Sequence, residues 1–260
     1  MKTISVIFSL LSVINTLYAQ QAMTPEMLWS VGRVSSEIIT PDGESIIYGV
    51  TYYNKEVNKG ERNLYSVSVN GGTPAKLTNS AGTEYNVLTL PNGKMGYLLN
   101  GQIWQAEWDG SNAVKITNDA NGLDNVQFSP NGKLIAFTRE VKTSANVHDL
   151  HPDLPKANAY IIDDLMYRHW DTWSDNLSTH IFFALWDNGK ILNEWDIMAD
   201  EPFDCPTKPF GGLEDFCWSP DSKSIIYVCK KMSGKEYALS TNKDIYAFNL
   251  QTAQTKNLTT

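Results

Sequence analysis

Few residues in this 260-residue chain have chemistry to offer, and most of them cluster. The histidines are His148, His151, His169 and His180. The densest stretch is Tyr167-Arg168-His169-Trp170-Asp171-Thr172-Trp173. An imidazole titrates near neutrality, so a histidine between a cation and an indole, with a carboxylate close behind, has the parts of an acid–base site. Structural ion-pair networks use the same residue types. The expected role of Arg168, His169, Trp170 and Asp171 is therefore structural, with Arg168 paired to Asp171 and Trp170 packed with Trp173. His148, Asp149, His151 and Asp153 are metal-ligand types at loose spacing, and they lack a third well-placed ligand type. A solvated loop is expected there, and no metal or cofactor. Cys205, Cys217 and Cys229 form an odd set with no C-x-x-C, so no thiolate zinc site is signalled. Pairing across the turn at Pro220 places Cys217 near Ile225 and Cys229 near Leu213. A Cys217–Cys229 bond is thus disfavoured, and buried thiols are expected.

The elements that position these residues are announced by one phrase used four times. It reads Thr40-Pro41-Asp42-Gly43, Leu90-Pro91-Asn92-Gly93, Ser129-Pro130-Asn131-Gly132 and Ser219-Pro220-Asp221-Ser222. Proline presets φ at the first turn position, Asp or Asn bonds its own backbone, and glycine supplies positive φ. An apolar run follows each turn, as in Ser224-Ile225-Ile226-Tyr227, and reads as a buried strand. Three copies lead to an alternating strand, at Asn63-Leu64-Tyr65, Gln102-Ile103-Trp104 and Asp244-Ile245-Tyr246. Each of these is followed by a short polar turn and a further strand ending in Leu-Thr or Ile-Thr. Four strands at a period of roughly 40–50 residues are the signature of β-propeller blades, and an all-β sandwich is the weaker alternative.

The prolines of successive phrases are 50, 39 and 90 residues apart. The last gap is about twice a blade. Strand periodicity fails from about 141 to 178 and returns at Thr179-His180-Ile181-Phe182. The expectation is an all-β, partial propeller of about four four-stranded blades, near 32–79, 80–118, 119–206 and 211–260. An irregular insertion, about 141–178, lies between the second and third strands of blade three. Thr24-Pro25-Glu26 has the cap and first-turn residues of a short helix. Residues 232–242 read as a loop.

Residues 1–19 have the form of a secretory signal, with Lys2 ahead of a mostly apolar run and Ala19 at a plausible cleavage point. A mature protein of residues 20–260, periplasmic or secreted and with no membrane span, is expected. The net charge of −8 argues against nucleic acid or an anionic membrane as partner.

The signal segment, the repeated hairpins, the Tyr167–Trp173 block with Thr179-His180-Ile181-Phe182, and Lys235-Glu236-Tyr237-Ala238-Leu239-Ser240-Thr241-Asn242 together resemble the prolyl oligopeptidase family of serine peptidases. Within it, Glu214-Asp215-Phe216 and the stretch from Lys235 look most like the dipeptidyl peptidase 5 and acylaminoacyl-peptidase groups. The resemblance covers nearly all of residues 24–260. It implies the N-terminal propeller of an exported serine peptidase, gating and orienting peptide substrates beside a C-terminal α/β-hydrolase domain that carries a Ser-Asp-His triad. It also implies propeller carboxylates that hold the substrate α-amine, for which Glu214 and Asp215 are the matching residues. An exposed strand start is the plainer reading of those two and the preferred one. No G-x-S-x-G nucleophile elbow occurs in residues 1–260, and no catalytic residue carries over. The hydrolase domain is thus expected to be missing from these residues and the chain alone inactive. A non-catalytic periplasmic propeller that binds a partner is the other reading.

Overall fold

Each proline-led phrase closes a β-hairpin in the computed structural model, which describes residues 22–174 and 176–259. At the first turn the Gly43 N–H donates to the Thr40 carbonyl at 2.8 Å, and Asp42 accepts from the Thr40 hydroxyl and the Glu44 N–H. Asn131 and Asp221 repeat the arrangement with Ser129 and Ser219. Gly43, Gly93 and Gly132 take φ of 76°, 83° and 67°, a region that costs a side chain steric strain. Ser222 occupies the same position at 60°.

The turns join four antiparallel sheets of four strands. The first contains β1 (Arg33–Ile39), β2 (Ser45–Asn54), β3 (Lys59–Ser68) and β4 (Ala75–Lys76). The second contains β5 (Glu84–Thr89), β6 (Met95–Leu99), β7 (Gln102–Ala106) and β8 (Val114–Lys115). The third begins with β9 (Asp124–Phe128) and β10 (Leu134–Lys142). A small separate hairpin, β11 (Arg168–His169) and β12 (Thr172–Trp173), interrupts it. It then resumes with β13 (Leu177–Asp187) and β14 (Lys190–Asp196). The fourth contains β15 (Phe216–Trp218), β16 (Ser224–Cys229), β17 (Asp244–Asn249) and β18 (Gln254–Asn257). The protein is thus a partial propeller of four blades with an irregular insertion in the third, as its turns predict.

In the first, second and fourth sheets the outermost strand is short, and a threonine beyond it takes over the pairing. The hydroxyls of Thr78, Thr117 and Thr259 accept the N–H of Leu64, Ile103 and Ile245 on the third strand. Between blades lie three apolar seams. Ile47, Leu64, Met95 and Tyr97 fill the first, Leu98, Ile103, Ile135 and Phe137 the second, and Ile181, Met198, Ile225 and Tyr227 the third. Burial on this scale contributes roughly 1.5–3 kcal/mol per large side chain. Polar stitches cross the same seams. The Asn86 side chain donates to the Val126 carbonyl and accepts its N–H, and Gln127 Nε2 donates to the carbonyls of Leu213 and Phe216.

The β10–β13 ladder runs unbroken from Leu134↔Leu185 to Lys142↔Leu177. Val141 and Lys142 therefore belong to the sheet, and the inserted residues narrow to 143–176. Within them Asn146 caps a single turn, α2 (Val147–Leu150); the N-terminal helix α1 (Pro25–Ser30) starts at the expected Thr24 cap.

Three expectations are corrected. Residues 232–242 contain a helix, α3 (Gly234–Leu239), where a loop was expected. Lys230 Nζ donates to the carbonyls of Tyr237 and Ser240 and lies over the Tyr237 ring, so the helix end is held by a residue outside it. Cys217 faces Ile226, one residue away from the expected Ile225, because Trp218 takes the place opposite Ile225. Cys217 is also exposed, whereas Cys205 and Cys229 are the buried thiols that were expected. The secretory signal at 1–19 lies outside the described residues. Among the described residues no helix is long and apolar enough to cross a membrane.

Candidate functional site

The inserted hairpin carries the densest set of polar and aromatic side chains. Arg168 pairs with Trp173 and His169 with Thr172, leaving Trp170-Asp171 as a two-residue loop. Trp170 sits at φ 56°, a strained value for so large a residue, and the residue is 79% exposed. The expected Arg168–Asp171 pair does not form. The Arg168 guanidinium instead lies 5.3 Å from the Trp173 ring, which also stacks on Tyr160 and Tyr167. Trp170 does not pack on Trp173; it meets Phe210 edge to face. A depression of about 620 Å³ opens beside the hairpin, lined by Leu165, Tyr167, Arg168, Trp170 and Trp173 among others.

Phe210 leads into the acidic pair. Leu213, Glu214 and Asp215 form one 3₁₀ turn ahead of β15. The two carboxylates have different surroundings. Asp215 Oδ2 accepts the Thr207 N–H at 2.8 Å, and a Cβ on Gly211 would fall 2.3 Å from that oxygen. Asp215 therefore anchors the preceding loop. Glu214 is exposed and makes no hydrogen bond or ion pair among the described residues, so its charge is available to a ligand. An exposed carboxylate four residues after an exposed aromatic residue offers a charge for a cationic amine and an apolar surface for its body.

At 148–153, where a solvated loop was expected, the chain forms the single turn α2: Asp149 closes the capping box at Asn146 and pairs with Lys142. Those contacts hold its carboxyl below the ordinary value.

Two polar networks lie beyond what the residue pattern suggests. His180 is buried, with Nδ1 2.8 Å from Asp196 Oδ2 and Nε2 2.9 Å from the Glu201 carbonyl oxygen. Arg139 reaches both Asp119 oxygens at 3.0 Å and Glu194 at 2.8 Å, with its guanidinium carbon 5.0 Å from the centre of the Phe137 ring and 5.3 Å from that of Phe182. It borders a cavity of about 890 Å³ at the root of the insertion. Each carboxylate is tens of residues away from its partner in sequence or across a strand turn, so no local motif reveals either network.

No protein-family model matches the chain. It is 37% identical over 241 residues to dipeptidyl-peptidase 5 of Porphyromonas gingivalis, covering 91% of this chain and 35% of that protein. Against dipeptidyl-peptidase 5 of Porphyromonas endodontalis it is 33% identical over 242 residues, with 91% and 35% covered. Among solved structures, the acylaminoacyl peptidase of Pyrococcus horikoshii superposes with a TM-score of 0.54 at 13% identity, over 88% of this chain and 32% of that one. This likeness bears on the fold alone. The chain spans about a third of the length of the curated relatives it matches.

Proposed function

We propose, for a chain homologous to about a third of dipeptidyl-peptidase 5, that it is the propeller part of an exported serine peptidase of the prolyl oligopeptidase family. In the complete protein it covers an α/β-hydrolase domain that supplies the nucleophile, base and oxyanion donors of acyl transfer. These blades admit short or unfolded peptides and orient their amino ends. The alignment carries this reading, since 37% identity extends over nine-tenths of the chain. Glu214, four residues after Phe210, is the residue proposed to meet the substrate α-amine. Arg168, His169 and Asp171 shape the hairpin and take no part in bond breaking.

The test compares residues 20–260 with the product of the complete reading frame on dipeptide-coumarin substrates. Turnover is expected from the complete protein and not from residues 20–260. Turnover by residues 20–260 that survives repurification and is blocked by a serine-directed phosphonate would overturn the proposal. A complete protein that binds peptides without cleaving them would establish the partner-binding propeller instead.

A further inference from the structure

The three cysteines have no part in that reading, and their placement is uneven. Cys205 and Cys229 are both completely buried in the seam between blades three and four, while Cys217 is exposed on β15. Cys229 Sγ donates to the Asp204 carbonyl oxygen at 3.5 Å. That oxygen belongs to the peptide plane leading into Cys205. By bond lengths alone, the two Cα atoms are then at most about 9 Å apart. Cys205 sits on the linker between β14 and β15, where its N–H donates to the Thr179 carbonyl. A linker residue can close the remaining distance to the roughly 4.4–6.8 Å of a disulfide more readily than a residue fixed inside a ladder. Burial raises both thiols above their ordinary range, Cys229 to about 12, and the Cys229 thiolate adds to the rise at Cys205.

Cys205 and Cys229 are both free thiols in this structure, and we propose that oxidation joins them in a disulfide that ties the blade three–four linker to the end of β16, leaving Cys217 as the single free thiol. The bond forms while the chain is open and its thiols still ionise normally. One cysteine thiolate attacks a small-molecule or protein disulfide, and the first oxidant thiolate leaves and takes up a proton. The second cysteine thiolate then attacks the mixed disulfide and releases the other oxidant thiolate. Two electrons and two protons thus pass from the cysteines to the oxidant, which ends as two thiols. Folding then buries the bond away from thiolates that would reopen it. Cys217 is not the partner of Cys229, because it faces Ile226 across the β15–β16 ladder.

The test uses the full chain refolded in a reduced and oxidised glutathione mixture and quenched in acid. Free thiols are blocked with N-ethylmaleimide under denaturing conditions; the chain is then reduced, labelled with iodoacetamide and digested. The expected result is one maleimide, on Cys217, with carbamidomethyl on Cys205 and Cys229. Cys217→Ser should keep the bond, and Cys205→Ser should place maleimide on both remaining cysteines. Three maleimides on the unsubstituted chain, or a bond that includes Cys217, would overturn the proposal.

Discussion

Trp170 meets Phe210 edge to face with ring centroids 6.3 Å apart, although the two residues are 79% and 78% exposed. The contact joins the tip of the inserted hairpin to the loop that ends in Glu214. It buries little, so its effect on stability is small, about 0.5–1 kcal/mol. In the complete protein, Phe210→Ala is expected to raise KM for a free-amine dipeptide substrate several-fold while kcat changes less than twofold. Steady-state kinetics read both, and an unchanged KM would separate the hairpin from substrate binding.

The acidic pair should divide its work. Glu214→Gln is expected to leave the urea midpoint unchanged and to raise KM for free-amine substrates about tenfold or more, the scale of one lost charge-assisted hydrogen bond. Asp215→Asn removes the strong acceptor of the Thr207 N–H and should lower the urea midpoint. Equal effects of the two substitutions on KM would contradict the assignment.

The network at His180 is a test of the blade three–four junction. Asp196 accepts the Met198 N–H at 2.8 Å as well as facing His180. Asp196→Ala strands both buried partners, at a cost of about 2–4 kcal/mol. Hydrogen exchange should show the loss first at the Thr179 and Cys205 amides, where the linker meets β13. Uniform loss over all four sheets would mean that the blades unfold as one unit.

Acid should loosen two of the four turns selectively. The carboxyls of Asp42 and Asp221 are held below their ordinary value, first by the Thr40 and Ser219 hydroxyls and then by the Glu44 and Lys223 N–H groups. A depressed folded pKa contributes stability above the unfolded value, near 3.9, and loses it as pH falls through the folded value. Asn92 and Asn131 fill the same positions and do not titrate. The double variant Asp42→Asn, Asp221→Asn should therefore lose less stability than the parent chain between about pH 4 and pH 2. Urea midpoints across that window measure it, and parallel curves would contradict it.

The blades were legible because their signals are local. A proline, an acidic or amide side chain and a glycine build the turn within four residues, and Leu77-Thr78 or Ile116-Thr117 closes the outer strand through one hydroxyl. The helix α3 was not legible, because its stabilising contact is Lys230, four residues ahead of it. Cys217 was misread for a related reason. A one-residue change in register turns a strand position to the other face, and only the pairing of Trp218 with Ile225 decides it. The hairpin at Arg168 was found as a cluster, but its partners were not, since a guanidinium satisfied by Trp173 has the same local sequence as one satisfied by Asp171. Glu214 and Asp215 were singled out together, and only the fold distinguishes the anchoring carboxylate from the free one.

Ser222 sits where the other three turns have glycine, and its hydroxyl accepts the Asn131 N–H from the turn of the neighbouring blade at 3.2 Å. The left-handed conformation costs a serine about 1 kcal/mol, and one such hydrogen bond returns a similar amount. At this position, then, glycine and serine are close to isoenergetic for reasons that lie in different blades. Drift between them would be nearly invisible to selection for stability, yet each exchange would change how firmly one blade holds the next in angular register. Counting blades by their glycines would therefore undercount these repeats wherever that exchange has occurred.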